Sequence, residues 1–117
     1  NLSRDVIYVK DVAHAFYLAM KSEQTYGLYN MTSGRGVTLQ EQAEVIRDLW
    51  APSENQKSKI TYKPEIVNNT PSYLFSMEKA KYDFGFVPKY ADFRTMMTDY
   101  KKDLDRNKYQ ELFNYVK

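Results

Sequence analysis

RDVIYVKDVAHAFYLAM (residues 4–20) and YGLYNMTSGRGVTLQEQAEVI (residues 26–46) decide the fold of this chain. Val6 to Val9 is a short β-branched run suited to a buried strand. Asp11 is a good N-cap for a helix from Val12 to about Ser22. Val12, Ala15, Phe16, Ala19 and Met20 fall at helical spacing and mark the face expected to be buried. After the polar connection Ser22 to Tyr26, Leu28 to Met31 reads as a second strand. It leads into the loop Ser33-Gly34-Arg35-Gly36. Thr38-Leu39-Gln40-Glu41 has the form of a capping box, with Thr38 at the N-cap and Glu41 reaching back to its amide. The helix it opens runs to about Trp50, with Leu39, Ala43, Ile46 and Leu49 or Trp50 inward, and Pro52 stops it. This alternation predicts an α/β protein, rich in helix with a few short strands.

The remainder carries weaker signals. Ala51 to Ser58 reads as a loop and Lys59 to Tyr62 as a short strand ended by Pro64. Glu65 to Ser72 reads as irregular and Tyr73 to Phe75 as extended. Ser76 is placed to cap a helix from Met77 to Phe84, with Gly85 as its left-handed terminator. Phe86 to Tyr90 reads as a linker, and Asp92 as the cap of a helix from Phe93 to about Leu104. A break is expected near Asn107. Beyond it, Tyr109, Leu112, Phe113 and Val116 recur at helical spacing. There is no repeat and no internal boundary, so residues 1–117 are read as a single domain.

Composition excludes several classes. The 117 residues are 43% hydrophobic and 27% charged, which marks a globular chain. The net charge of +2 comes from interspersed signs and demands no anionic partner. No run has transmembrane length and no secretory signal is recognisable, so a cytoplasmic location is expected. The sequons at Asn30 and Asn68 then read as chance. With no Cys, disulfides and thiolate chemistry are excluded. His14 is the single imidazole, so no metal site is expected. Eleven Tyr residues suit a half-buried surface that packs on something else, or stacking on a base or sugar ring. The loop at Ser33 offers only a lone G-x-G. No acidic ribose ligand follows at the right distance, so no cofactor-binding residue is assigned.

The residues quoted above resemble those of the extended short-chain dehydrogenases that act on nucleotide sugars, the NAD-dependent epimerase/dehydratase family. That family's phrase opens Arg-Asp followed by an aromatic or aliphatic residue, then hydrophobic-aromatic-Val-x-Asp. Later come hydrophobic-Tyr-Asn, a small Gly-containing loop, and Ser or Thr opening a helix. Leu74-Phe75-Ser76-Met77-Glu78-Lys79-Ala80, followed by Phe84-Gly85-Phe86-Val87-Pro88, resembles the family's Asp-x-Ser-Lys-Ala and Leu-Gly-Trp-x-Pro, with Ser76 where Asp is usual. The likeness runs from Arg4 to about Lys89.

The resemblance implies the C-terminal, substrate-side region of an extended Rossmann-type dehydrogenase. The NAD or NADP domain and the catalytic Tyr/Lys pair then belong upstream of Asn1, so no residue of this chain is assigned a catalytic role. A start at Asn1 rather than Met suits such a piece. Arg4 is implied as the ligand of the substrate diphosphate, and its planar guanidinium fork matches phosphate oxygens. Asn69 and Tyr73 are implied at the nucleotide end. Asp5 and Asp11 read as turn and cap residues, and Tyr8 as packing. A second phosphate-binding Arg of the family falls near Ile66, and its Asp near Asn69; both ionic groups are replaced. Tyr17 and Lys21 have the Tyr-x-x-x-Lys spacing of dehydrogenase catalysis, but they follow the Arg-Asp strand and read as a surface pair.

Two readings follow. In the first, the chain binds a nucleotide-sugar substrate as part of an NAD(P)-dependent epimerase or dehydratase and is inactive alone. In the second, it is a non-catalytic binding or regulatory module, RNA-binding included, that kept the fold. Lys79, Lys81, Lys89, Lys101 and Lys102 would serve the second, but they interleave with acidic residues as on a solvated face. Self-association is expected, through an unpaired strand at Val6 to Val9 or through the Tyr-rich tail.

Overall fold

The computed structural model describes residues 2–63 and 71–111. Among them lie β1 (Ser3–Asp5), α1 (Val9–Lys21), β2 (Gly36–Thr38), α2 (Leu39–Trp50), α3 (Glu78–Phe84) and α4 (Phe93–Asp105), with a 3-10 turn at Glu54–Gln56. The α/β composition expected from the sequence holds, with helix dominant. β1 and β2 pair antiparallel, Arg4 opposite Val37 and Asp5 opposite Gly36.

The strands are not where the β-branched runs lie. The expected strand at Val6 to Val9 is absent, because the ladder partner β2 reaches only Ser3–Asp5. By Val9 the helix has begun, with the Val12 amide donating to the Tyr8 carbonyl at 3.0 Å. Leu28 to Met31 and Lys59 to Tyr62 likewise have no strand partner among the described residues. Side chains of α3 hold the first of these instead. Lys79 Nζ donates to the carbonyls of Tyr26 (2.7 Å) and Leu28 (3.2 Å), and the Tyr29 hydroxyl donates to Asp83 at 2.6 Å.

Helix ends follow local chemistry more closely. Thr38 and Glu41 form the expected capping box, the Glu41 amide on Thr38 Oγ1 at 3.1 Å and the Thr38 amide on Glu41 Oε2 at 2.7 Å. Asp92 caps α4 by accepting from the Thr95 amide at 3.0 Å. Gly85 ends α3 at φ 69°, where an L side chain is disfavoured, and Asn107 takes φ 51° just past α4. Asp11 is a correction. Tyr8 occupies the N-cap of α1, and Asp11 lies inside the first turn, fully buried. Its carboxylate accepts from the distant amides of Lys89 (2.8 Å) and Tyr90 (2.9 Å), a stronger use than a cap. Met77 rather than Ser76 is the N-cap of α3, although Ser76 Oγ still accepts from the Glu78 amide at 3.3 Å.

The core joins α1 to α3. Ala15, Ala80 and Phe86 are buried together, with Ile7, Leu18, Tyr29, Met31, Met77 and Phe84 packed around them. Phe86, expected in a linker, is the largest fully buried side chain among the described residues. The expected inward faces are only partly covered. Phe16 (66% exposed) and Met20 (84%) on α1, and Leu39 and Ile46 on α2, face outward. Among the described residues α1 packs on α3, and α2 on α4 and β2, while Lys10 of α1 reaches Asp99 and Asp103 of α4. Most of the expected tail helix lies outside the described residues.

Candidate functional site

The site assembles on β1 and the segment that crosses it. Arg4 is the middle residue of β1, half-buried, and its guanidinium carbon lies 5.8 Å from the centre of the Tyr73 ring. Two of the residues expected to hold a nucleotide sugar therefore meet in space. Asn69 and the neighbouring Ile66 lie outside the described residues. Among the described residues, no carboxylate forms an ion pair with Arg4. A guanidinium resting on an aromatic face keeps its in-plane N–H groups for an anion.

The crossing segment is held at both ends. The Ser3 amide donates to Ser72 Oγ at 2.9 Å, and the Phe75 amide donates to Asp5 Oδ2 at 3.3 Å. Tyr73 lies between these ties, and its ring meets that of Phe75 edge-on at 5.2 Å. The other Asp5 oxygen accepts from the amide and the hydroxyl of Ser33, at 3.1 and 3.0 Å. Gly36 faces Asp5 across the ladder, and a Cβ there would collide with Ser3 Oγ and touch Leu74 at 3.4 Å. Glycine at this position thus leaves room for the Ser3 side chain. The sequence marked Arg4 and Tyr73 by resemblance. It gave no signal for Ser72, and Asp5 was legible only as a structural residue.

The remaining sequence candidates do other work. Lys21 Nζ donates to the Tyr17 hydroxyl at 3.0 Å, so the Tyr-x-x-x-Lys pair does share a face. Both residues stand exposed on α1, and His14 stacks on Tyr17 at 6.5 Å. In the loop at Ser33, the Gly34 amide donates to Thr32 Oγ1 and the Arg35 amide to Ser33 Oγ, each at 3.1 Å. Amides spent on the loop's own hydroxyls do not fit the pyrophosphate of a nicotinamide dinucleotide. Of the five lysines weighed for a nucleic-acid face, Lys79 is bound to carbonyls and Lys101 pairs with Asp105 at 2.6 Å. Among the described residues there is no cluster of three His, Asp or Glu side chains able to hold a metal ion, and no helix long and apolar enough to cross a membrane.

Known proteins point to the same class. The chain is 29% identical over 101 residues to the UDP-glucose 4-epimerase of Corynebacterium glutamicum, covering 82% of this chain and 29% of that protein. It is 32% identical over 100 residues to the UDP-glucose 4-epimerase of Halalkalibacterium halodurans, covering 80% and 28%. The dTDP-4-dehydro-6-deoxyglucose reductase of Escherichia coli is 27% identical over 85 residues, covering 73% and 26%. The chain thus spans less than a third of the length of the curated relatives it matches. No family model matches, and no solved structure matches. The chain is a small α/β protein that resembles the nucleotide-sugar epimerase/dehydratase family over most of its length.

Proposed function

We propose that this chain is the substrate-side, C-terminal portion of an extended Rossmann-type, NAD(P)-dependent enzyme of the epimerase/dehydratase class, and that it binds a nucleotide sugar. The observation that carries the proposal is the approach of Arg4 to Tyr73 at 5.8 Å, from segments far apart in sequence. Arg4 supplies charge-assisted hydrogen bonds to phosphate oxygens, and Tyr73 offers an exposed ring to a base or sugar. Asn69 is assigned to the nucleotide end on the resemblance alone. Hydride chemistry would be supplied by a nicotinamide cofactor held outside this chain, together with a Tyr/Lys pair outside it. The residues described here bind and orient.

The test is titration of the chain with UDP and UDP-glucose, wild type against Arg4→Ala. A charge-assisted contact is worth about 1.5–3 kcal/mol, so Arg4→Ala should weaken binding at least about tenfold. Its effect on stability should stay within about 0.5 kcal/mol, as for other surface substitutions. The chain alone, mixed with NAD and UDP- or GDP-sugars, should give no turnover. Equal affinity of wild type and Arg4→Ala would overturn the assignment of Arg4, and turnover would overturn the partition of chemistry.

A further inference from the structure

We propose that Asp5 is a positioning residue that ties the Tyr73 segment to the Arg4 strand, so that guanidinium and ring face a ligand as one surface. The inference rests on the binding role proposed above and deepens it. A carboxylate has two oxygens, and here each serves a different segment. Oδ1 accepts twice from Ser33, and Oδ2 accepts from the Phe75 amide. Asp5 sits next to Arg4 in β1, so whatever it holds is registered against Arg4. Ser72 makes the matching tie on the other side, at the Ser3 amide. Residues 72–75 are thereby strapped across β1 at two points, with Tyr73 between them and above Arg4. Tyr73 and Phe75 each keep about half of their surface exposed, so apolar burial alone does not fix this segment. Its placement depends on these polar ties.

Asn is the informative substitution. It matches the shape of Asp but accepts on one oxygen only, its other terminus being a donor. Ser33 presents two donors and Phe75 only one, so the single oxygen of Asp5→Asn should stay on Ser33 and its NH2 should face, and release, the Phe75 amide. Glu keeps two acceptors on a longer arm. The strap is read without ligand by the Phe75 amide exchange rate and by the Arg4 Nε–H chemical shift, which senses the Tyr73 ring current. Its purpose is read by UDP titration of the same chains.

Asp5→Asn should speed Phe75 exchange at least about tenfold, move the Arg4 Nε–H shift toward its value in Tyr73→Ala, and weaken UDP by about tenfold. Asp5→Glu should recover part of each. Tyr73→Ala, which leaves the strap's polar ties in place, should weaken UDP without speeding exchange at Phe75. Should Asp5→Asn unfold the chain, Ser72→Ala cuts the opposite tie and should move the same three readouts in the same directions. Unchanged exchange and shift in Asp5→Asn would overturn the strap. A released strap with unchanged UDP affinity would overturn its positioning role. Failure of the wild type to bind UDP would instead remove the nucleotide reading, while the exchange and shift data still decide the strap.

Discussion

The Tyr8 hydroxyl donates to Asp99 Oδ2 at 2.9 Å, across 91 residues of sequence, and so joins the entry of α1 to the middle of α4. Lys10 extends the contact. Its ammonium pairs with Asp99 and, at 2.7 Å, with Asp103. The Tyr109 hydroxyl also donates to Asp103, at 3.0 Å. Each carboxylate thus accepts from both an ammonium and a phenol. Hydrogen bonding from Lys10 holds Asp99 and Asp103 below the usual carboxylate range. Burial, reinforced by Asp99, pushes the Tyr8 phenol well above an ordinary tyrosine.

The acid limb of stability should follow from these carboxylates. Groups whose pKa is depressed by folding bind fewer protons in the folded state than in the unfolded one. Their contribution is present above the unfolded value of about 4 and is lost as pH falls through the lower folded values. Tm should therefore fall on acidification below about pH 4 and be flat near neutrality. Asp99→Asn should lower the neutral plateau and flatten the acid limb. A melting series from pH 2 to 7 checks both slopes.

Phe86 should be the costliest apolar truncation. It is fully buried against Ala15 and Ala80, two residues too small to fill the space it leaves. Phe86→Ala should destabilise by about 3–5 kcal/mol, read from the midpoint of urea unfolding. Removal of an exposed aromatic such as Tyr82 should leave that midpoint nearly unchanged.

Thr38 should matter through α2 alone. Thr38→Ala removes the acceptor for the Glu41 amide and should cost about 1 kcal/mol. Thr38→Ser keeps the hydroxyl and should recover most of it. Comparison of the two melting curves separates capping from the small loss of the methyl group.

Self-association should run through α1. Val9, Phe16 and Met20 lie on one helical stripe and are all largely exposed. A concentrated wild-type chain should show a mass above one protomer in light scattering. Phe16→Ser with Met20→Lys should return it to the single-protomer mass. A wild type that stays at that mass at high concentration would exclude this stripe as a contact.

Features set within a few residues were legible in the sequence. The capping box at Thr38, the left-handed Gly85 and the Asp92 cap depend on neighbours in the chain, and all three fall where the residue types place them. Strands were not legible, because Val6 to Val9 has the right side chains but no partner alongside, while Gly36–Thr38 has a partner but is only three residues long and runs from the Gly-containing loop straight into the cap of α2. Asp11 reads as a cap by position, yet its acceptors are spent on Lys89 and Tyr90. The meeting of Arg4 with Tyr73, and of Lys10 with Asp99 and Asp103, joins residues that no local spacing relates.

Asp11 also bears on the order of events in folding. Its nearer partner, the Lys89 amide, lies 78 residues away, so that loop must close before the carboxylate loses its water. Until then α1 carries a solvated charge on the side that will be interior. Docking of residues 89–90 is therefore expected late on the route to the native state. Weakening it, as in Asp11→Asn, should mainly hasten unfolding and leave the refolding rate nearly unchanged.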